Sequence, residues 1–161
     1  VGTFISDARN LKASLLRLKE ALGLSGRIIK ERAHFLPTLH NPGTLHGQRC
    51  IVLGDAAGLI DPFTGEGIYW ALASAHLAAQ TILHSFSKGD PTDLSSYTKE
   101  VNRSFWSELT AARRISKIVF TFPLAVHKIV KKSNSLKLKL AKVITGGLSY
   151  NDLYQALKQL L

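Results

Sequence analysis

The densest chemistry in the chain lies in one run, Leu53-Gly54-Asp55-Ala56-Ala57-Gly58-Leu59-Ile60-Asp61-Pro62-Phe63-Thr64-Gly65-Glu66-Gly67-Ile68. A short apolar stretch, Cys50-Ile51-Val52-Leu53, leads straight into Gly54-Asp55. Four apolar residues bounded by turn signals fit a buried strand of a parallel sheet. A carboxylate at the end of such a strand stands at the sheet edge where α/β folds bind ligands. Gly54 and the small Ala56, Ala57 and Gly58 let a ligand come close to the backbone. Gly65-Glu66-Gly67 then opens a helix whose free N–H groups and dipole favour negative charge. The run predicts a site with a hydroxyl acceptor, Asp55, at one end and an anion-stabilising helix start at the other. Glu66 is read as a first-turn carboxylate that suits the dipole rather than as a catalytic acid. Asp61 is read as a turn residue ahead of Pro62.

Other reactive side chains form weaker patterns. His34, His40 and His46 are spaced six apart, but no cysteine or carboxylate cluster joins them as a metal site would need, and they read as solvent-facing. His76 and His84 sit eight apart on one Ala-rich segment and read as packing or surface residues. Cys50 has no histidine in a nucleophile arrangement and is expected to be a buried thiol. Phe63, Tyr69 and Trp70 serve equally as core aromatics or as the lining of an apolar channel. Phe120, Phe122 and Leu124 flank Pro123 beside basic residues. Packing is the expected role, with a membrane-facing or tunnel role as the alternative.

These residues need elements to hold them. Val1–Ile5 reads as the end of a strand. Asp7 can cap a helix over residues 8–22 that carries Leu11, Leu15, Leu18 and Leu22 on one face and ends at Gly23. Residues 27–35 alternate weakly and predict a strand that exits at Pro37, before a turn at Asn41-Pro42-Gly43. An Ala-rich helix is expected from Glu66 to Ser85, broken by Gly89-Asp90-Pro91. Asp93, Ser95 or Ser96 can cap the next helix, with Tyr97, Val101, Phe105, Leu109, Ala112 and Ile115 at helical spacing. Pro123 kinks or ends it. Helical stretches follow over 124–144, with a weak point at Ser133-Asn134-Ser135, and over 150–161, opened by the S-x-x-D signal of Ser149 and Asp152.

The chain has 161 residues, 45% apolar and 20% charged, which excludes a disordered or collagenous polypeptide. One cysteine excludes a disulfide framework and a multi-cysteine zinc site, and suits a reducing compartment. The net charge of +10 is uneven. Residues 1–110 hold 11 Lys+Arg against 10 Asp+Glu, whereas residues 111–161 hold 10 Lys+Arg against Asp152 alone. Such a segment favours anionic partners. Gly67–Ser87 is too interrupted by polar residues to span a bilayer. The chain contains no methionine, and the strand at 50–53 lacks visible parallel neighbours, so the expectation is a piece of a longer protein.

The Gly54–Ile68 run resembles the second FAD-binding motif of flavoproteins with the para-hydroxybenzoate hydroxylase fold. The fuller string, GDAAG-x-x-x-P-x-x-GEGI before an Ala-rich helix, looks most like the geranylgeranyl reductase family, which reduces isoprenoid double bonds with FAD in lipid and chlorophyll biosynthesis. Ser149-Tyr150-Asn151-Asp152-Leu153 is similar to that family's C-terminal S-Y-x-D-L element. The resemblance implies an α/β fold, α+β as a fragment: the C-terminal part of an FAD-binding doubly wound domain. Its parts would be the end of a substrate-domain sheet over 1–48, the second FAD motif over 49–88 and a helical region over 89–161. It implies that Asp55 binds ribityl or ribose hydroxyls, that Gly67 and Ile68 present backbone to the flavin ring, and that Pro62 and Thr64 shape the loop beside it. Gly54, Ala56, Gly65 and Glu66 complete the cofactor-binding set. NAD(P)H is the implied electron donor and a polyprenyl compound the implied substrate.

The first glycine motif of that family, G-x-G-x-x-G, holds the ADP half of FAD and is absent from this sequence. The chain alone is therefore expected not to hold FAD tightly, to be inactive, and to need the missing N-terminal half of the same protein. The expected place of action is cytoplasmic, with peripheral contact to anionic membrane through 111–161 and none to nucleic acid. The alternatives are an aromatic monooxygenase or halogenase of the same fold, and a non-enzymatic basic helical module on an anionic membrane.

Overall fold

The computed structural model describes residues 10–34, 37–38 and 43–158, in a chain that divides into two compact units, Val1–Phe35 and Leu36–Leu161. The expected strand at Val1–Ile5, the Asp7 cap, the first two residues of the Asn41 turn and the last three residues lie outside the described ones. Among the described residues no strand forms, so the expected α/β character is replaced by a helical architecture.

In the first unit, α1 runs over Leu11–Ala21. Gly23 ends it with φ of 64°, a left-handed turn that glycine adopts without strain, and its N–H donates to the Glu20 carbonyl at 2.9 Å. Residues 27–34 are exposed and form no strand. Weak alternation does not substitute for a neighbouring strand.

The second unit begins with a tight antiparallel link. The Gly47 N–H donates to the Cys50 carbonyl at 2.8 Å and the Val52 N–H to the Leu45 carbonyl at 2.9 Å, while His46 and Ile51 form an isolated bridge. The parallel strand expected at 50–53 is thus absent. Among the described residues its backbone pairing is to the segment just before it, and Val52 and Leu53 remain more than a third exposed. Cys50 is exposed as well, which corrects the expectation of a buried thiol: it sits in this turn rather than inside a sheet.

The chain then makes a single 3-10 turn over Gly54–Ala57 and a loop, and enters α2, Ile68–Ser87. Glu66 precedes this helix instead of opening it. Gly89, at φ of 77°, stops the chain before α3, Ser95–Ser104, where the Asp93 carboxylate accepts from the Ser95 N–H at 3.1 Å. The single helix expected here is two, broken at Phe105, whose ring packs edge-on against Trp70 with centroids 5.4 Å apart. The second of these is α4, Trp106–Thr121. Pro123 is the first residue of α5, Pro123–Lys132, where its missing N–H costs no hydrogen bond. Ser133 is extended and caps α6, Asn134–Ile144, by accepting from the Leu136 N–H at 3.2 Å. The last helix, α7, spans Tyr150–Lys158.

Two apolar clusters hold the unit together. Leu59, Trp70, Tyr97 and Val101 lie in the first, which joins the loop, α2 and α3. Ile115, Leu136, Val143 and Leu153 lie in the second, which joins α4, α6 and α7. The periodic residues Tyr97, Val101, Leu109, Ala112 and Ile115 are all buried, so α4 supplies both clusters.

The loop is fastened to α2 at Gly54. Its N–H donates to Ser74 Oγ at 3.0 Å, its φ is 55°, and a Cβ there would lie 3.0 Å from Ala71 Cβ. Gly54→Ala combines a left-handed conformation with a close contact and is expected to cost roughly 1–3 kcal/mol in urea denaturation. An unchanged midpoint would contradict this fastening.

Candidate functional site

The loop from Gly54 to Gly67 is ordered by its own backbone. The Gly58 N–H donates to the Asp55 carbonyl at 2.9 Å and the Leu59 N–H to the Gly54 carbonyl at 3.0 Å, closing the 3-10 turn. The Asp61 N–H donates to the Glu66 carbonyl and the Gly65 N–H to the Asp61 carbonyl, each at 2.8 Å. Gly65 needs its glycine, with φ of 76°.

Asp61 does far more than start a turn. Its side chain is 5% exposed. One carboxylate oxygen accepts from the Phe63 N–H at 2.7 Å and the Thr64 N–H at 3.2 Å. The other accepts from the Tyr150 hydroxyl, 89 residues away. A buried carboxylate must be satisfied by hydrogen bonds, and Asp61 gets them from its own loop and from the first residue of α7. Burial first, then the hydrogen bond and charge of Asp61, push the Tyr150 phenol far above its ordinary range. The ring of Phe63 stands edge-on to Tyr150, with centroids 6.1 Å apart.

The far side of this latch is held by α4. Glu108 accepts from the Tyr150 N–H at 2.7 Å, and Asn151 Nδ2 donates to Ser107 Oγ at 2.9 Å. Ser149 Oγ accepts from the Asp152 N–H at 3.0 Å, so the S-x-x-D signal is a working cap.

At the mouth of α2 the expected features coincide. Glu66 Oε1 accepts from the Tyr69 N–H at 2.7 Å, a capping role that fits its reading as a dipole-matched carboxylate. The Gly67 and Ile68 N–H groups make no hydrogen bond among the described residues. The Asp55 side chain is exposed, and its Oδ1 lies 2.7 Å from where a Cβ on Gly67 would stand. The carboxylate therefore lies directly beside the helix start. Ala56 and Thr64 are exposed, Pro62, Gly65 and Glu66 are half-buried, and Ile68 is 76% exposed. Gly54 is buried against α2 and acts in the loop's attachment.

The remaining candidates are elsewhere. Tyr69 is exposed, whereas Trp70 is buried and Phe63 packs half-buried against the second apolar cluster, so of the three only Tyr69 stands outside the core. His46 Nδ1 lies 2.7 Å from Thr98 Oγ1, and His76 and His84 are on the surface of α2. Phe122 and Leu124 are 61% and 79% exposed, which corrects the expectation that they pack. Sequence reasoning missed the Asp61–Tyr150 latch and the Ser74 anchor of Gly54. The Asp-Pro-x-Thr spacing signalled only the local turn.

The residues fit the flavin end of FAD. An exposed carboxylate suits sugar-alcohol hydroxyls, and two free N–H groups beside a glycine suit a ring carbonyl. The chain is 31% identical over 112 residues to the chloroplastic geranylgeranyl diphosphate reductase of Oryza sativa subsp. japonica, covering 67% of this chain and 24% of that protein. It is 41% identical over 96 residues to geranylgeranyl diphosphate reductase of Rhodobacter capsulatus, covering 58% and 24%. These likenesses support a relationship to the geranylgeranyl reductase family. Conditioned medium factor receptor 1 of Dictyostelium discoideum is also similar, 31% identical over 110 residues, covering 63% and 21%. The chain spans about a quarter of the length of the curated relatives it matches. No family model and no solved structure matches it.

Tyr150→Phe removes a hydrogen bond to a buried carboxylate and is expected to cost about 1.5–3 kcal/mol at neutral pH. Because the folded phenol titrates above its unfolded value of about 10, its contribution is complete below that pH and declines above it. The stability gap between the two proteins should therefore narrow in alkali. A gap that is absent, or constant through alkaline pH, would refute the latch.

Proposed function

We propose that this chain is the C-terminal part of an FAD-dependent oxidoreductase acting on isoprenoid C=C bonds. Residues 49–88 carry the flavin end of the cofactor site and residues 89–161 form a helical support. The observation behind the proposal is the exposed Asp55 carboxylate beside two unpaired backbone N–H groups at the start of α2. Reductase names among the relatives favour this reading over hydroxylation or halogenation on the same fold.

FAD, when bound, supplies hydride drawn from NAD(P)H to a polyprenyl double bond. Asp55 accepts hydroxyl hydrogen bonds from the cofactor's sugar-alcohol chain. The Gly67 and Ile68 N–H groups, backed by the α2 dipole, would stabilise the negative charge that gathers on the ring on reduction. Glu66 keeps the Tyr69 N–H occupied and so fixes which donors point outward. Asp61, tied to Tyr150, holds Pro62 and Thr64 at the rim.

Gly67→Ala tests the arrangement specifically. Gly67 has φ of −126°, which alanine adopts freely, and the added Cβ meets only the mobile end of Asp55 at less than 3 Å. In the full-length protein this variant should fold normally yet retain less flavin after dialysis. Asp55→Ala should do the same, losing about 1.5–3 kcal/mol of binding. The 161-residue chain alone should purify colourless. Undiminished flavin in both variants would contradict the assignment.

A further inference from the structure

Between Glu108 and Asp152 the chain contains nine Lys+Arg and no acidic residue. The fold does not neutralise them: the ion pairs among the described residues, Lys12–Glu31 and Arg103–Glu100, lie outside this stretch. Helices α4, α5 and α6 carry three of these cations each, and α5 sets Lys128, Lys131 and Lys132 on its exposed side. Leu124, His127, Lys128 and Lys131 recur at i, i+3, i+4 and i+7, so they form one stripe, and all four are exposed. The opposite face seats Ile129 and Val130 on the second apolar cluster. The helix is therefore anchored by one side and presents the other.

At the start of that stripe stand two large apolar side chains in water, Phe122 at 61% and Leu124 at 79% exposure. Exposed apolar groups beside cations match the boundary between lipid headgroups and acyl chains. A nucleic-acid backbone would draw on the cations and leave Phe122 and Leu124 unused. No helix among the described residues is long and apolar enough to cross a membrane.

We propose that the outward face of α5, led by Phe122 and Leu124, docks this protein on an anionic lipid surface. The cations supply the attraction and the two apolar side chains enter the interface. This surface uses residues other than those of the Asp55–Ile68 site and does not depend on the flavin reading.

The test is sedimentation of the full chain with vesicles of phosphatidylserine in phosphatidylcholine, against phosphatidylcholine alone. Binding should require the anionic lipid and weaken with salt. Each lysine is worth roughly fivefold at such a surface, so K128A/K131A/K132A should weaken binding about a hundredfold. R27A/K30A/R32A, which removes equal charge from the other unit, should leave it nearly unchanged. Phe122→Ser with Leu124→Ser should weaken binding while keeping its salt dependence. The proposal falls if the chain ignores anionic vesicles, if both triple variants lose equally, or if the serine variant binds as the parent does. Duplex DNA bound more tightly than vesicles, with the serine variant unaffected, would assign the face to nucleic acid instead.

Discussion

A buried carboxylate that forms no ion pair among the described residues is the constraint on which the second unit turns. Asp61 is satisfied only if the Phe63 and Thr64 N–H groups close around one oxygen and the Tyr150 hydroxyl reaches the other. Desolvating such a group without those donors would cost several kcal/mol. The loop conformation, the seating of α7 and the path of α4, which holds Tyr150 through Glu108, are thereby set together. A turn residue near the candidate cofactor position and the C-terminal helix act as one structural element.

That coupling explains how a glycine-rich loop can be held in one conformation. Gly54 and Gly65 supply left-handed conformations, and Gly58 closes the short turn between them. Freedom of that kind normally costs order, yet here both ends are fixed: Gly54 to Ser74, and Asp61 to Tyr150. The Asp55 carboxylate and the α2 start are what remain exposed. The positive charge of the same unit is carried by α4, α5 and α6, outside the Gly54–Ile68 loop.

Local signals were legible in the sequence. Gly23 and Gly89 as stops, Pro123 as the end of the preceding helix, Ser133 as a break and Ser149 with Asp152 as a cap depend on neighbours within a few residues. The buried stripe from Tyr97 to Ile115 follows from helical spacing alone. The strand at 50–53 did not follow, because a strand is a property of its partners. Here its nearest partner is the preceding Leu45–His46 segment, joined by a tight turn that leaves Cys50 in solvent. The Tyr150–Asp61 bond was illegible for the same reason, since 89 residues separate its ends. Phe122 and Leu124 were misread because apolar character near a proline does not say which side of a helix faces the core.

The central claim is that the start of α2 receives the flavin. Amide hydrogen exchange in the full-length protein, with and without FAD, measures this at the atoms concerned. Slower exchange at Gly67 and Ile68 on adding FAD, with the α5 amides unchanged, is the result the account predicts. Protection elsewhere in a flavin-loaded protein, with none at Gly67 and Ile68, would contradict it.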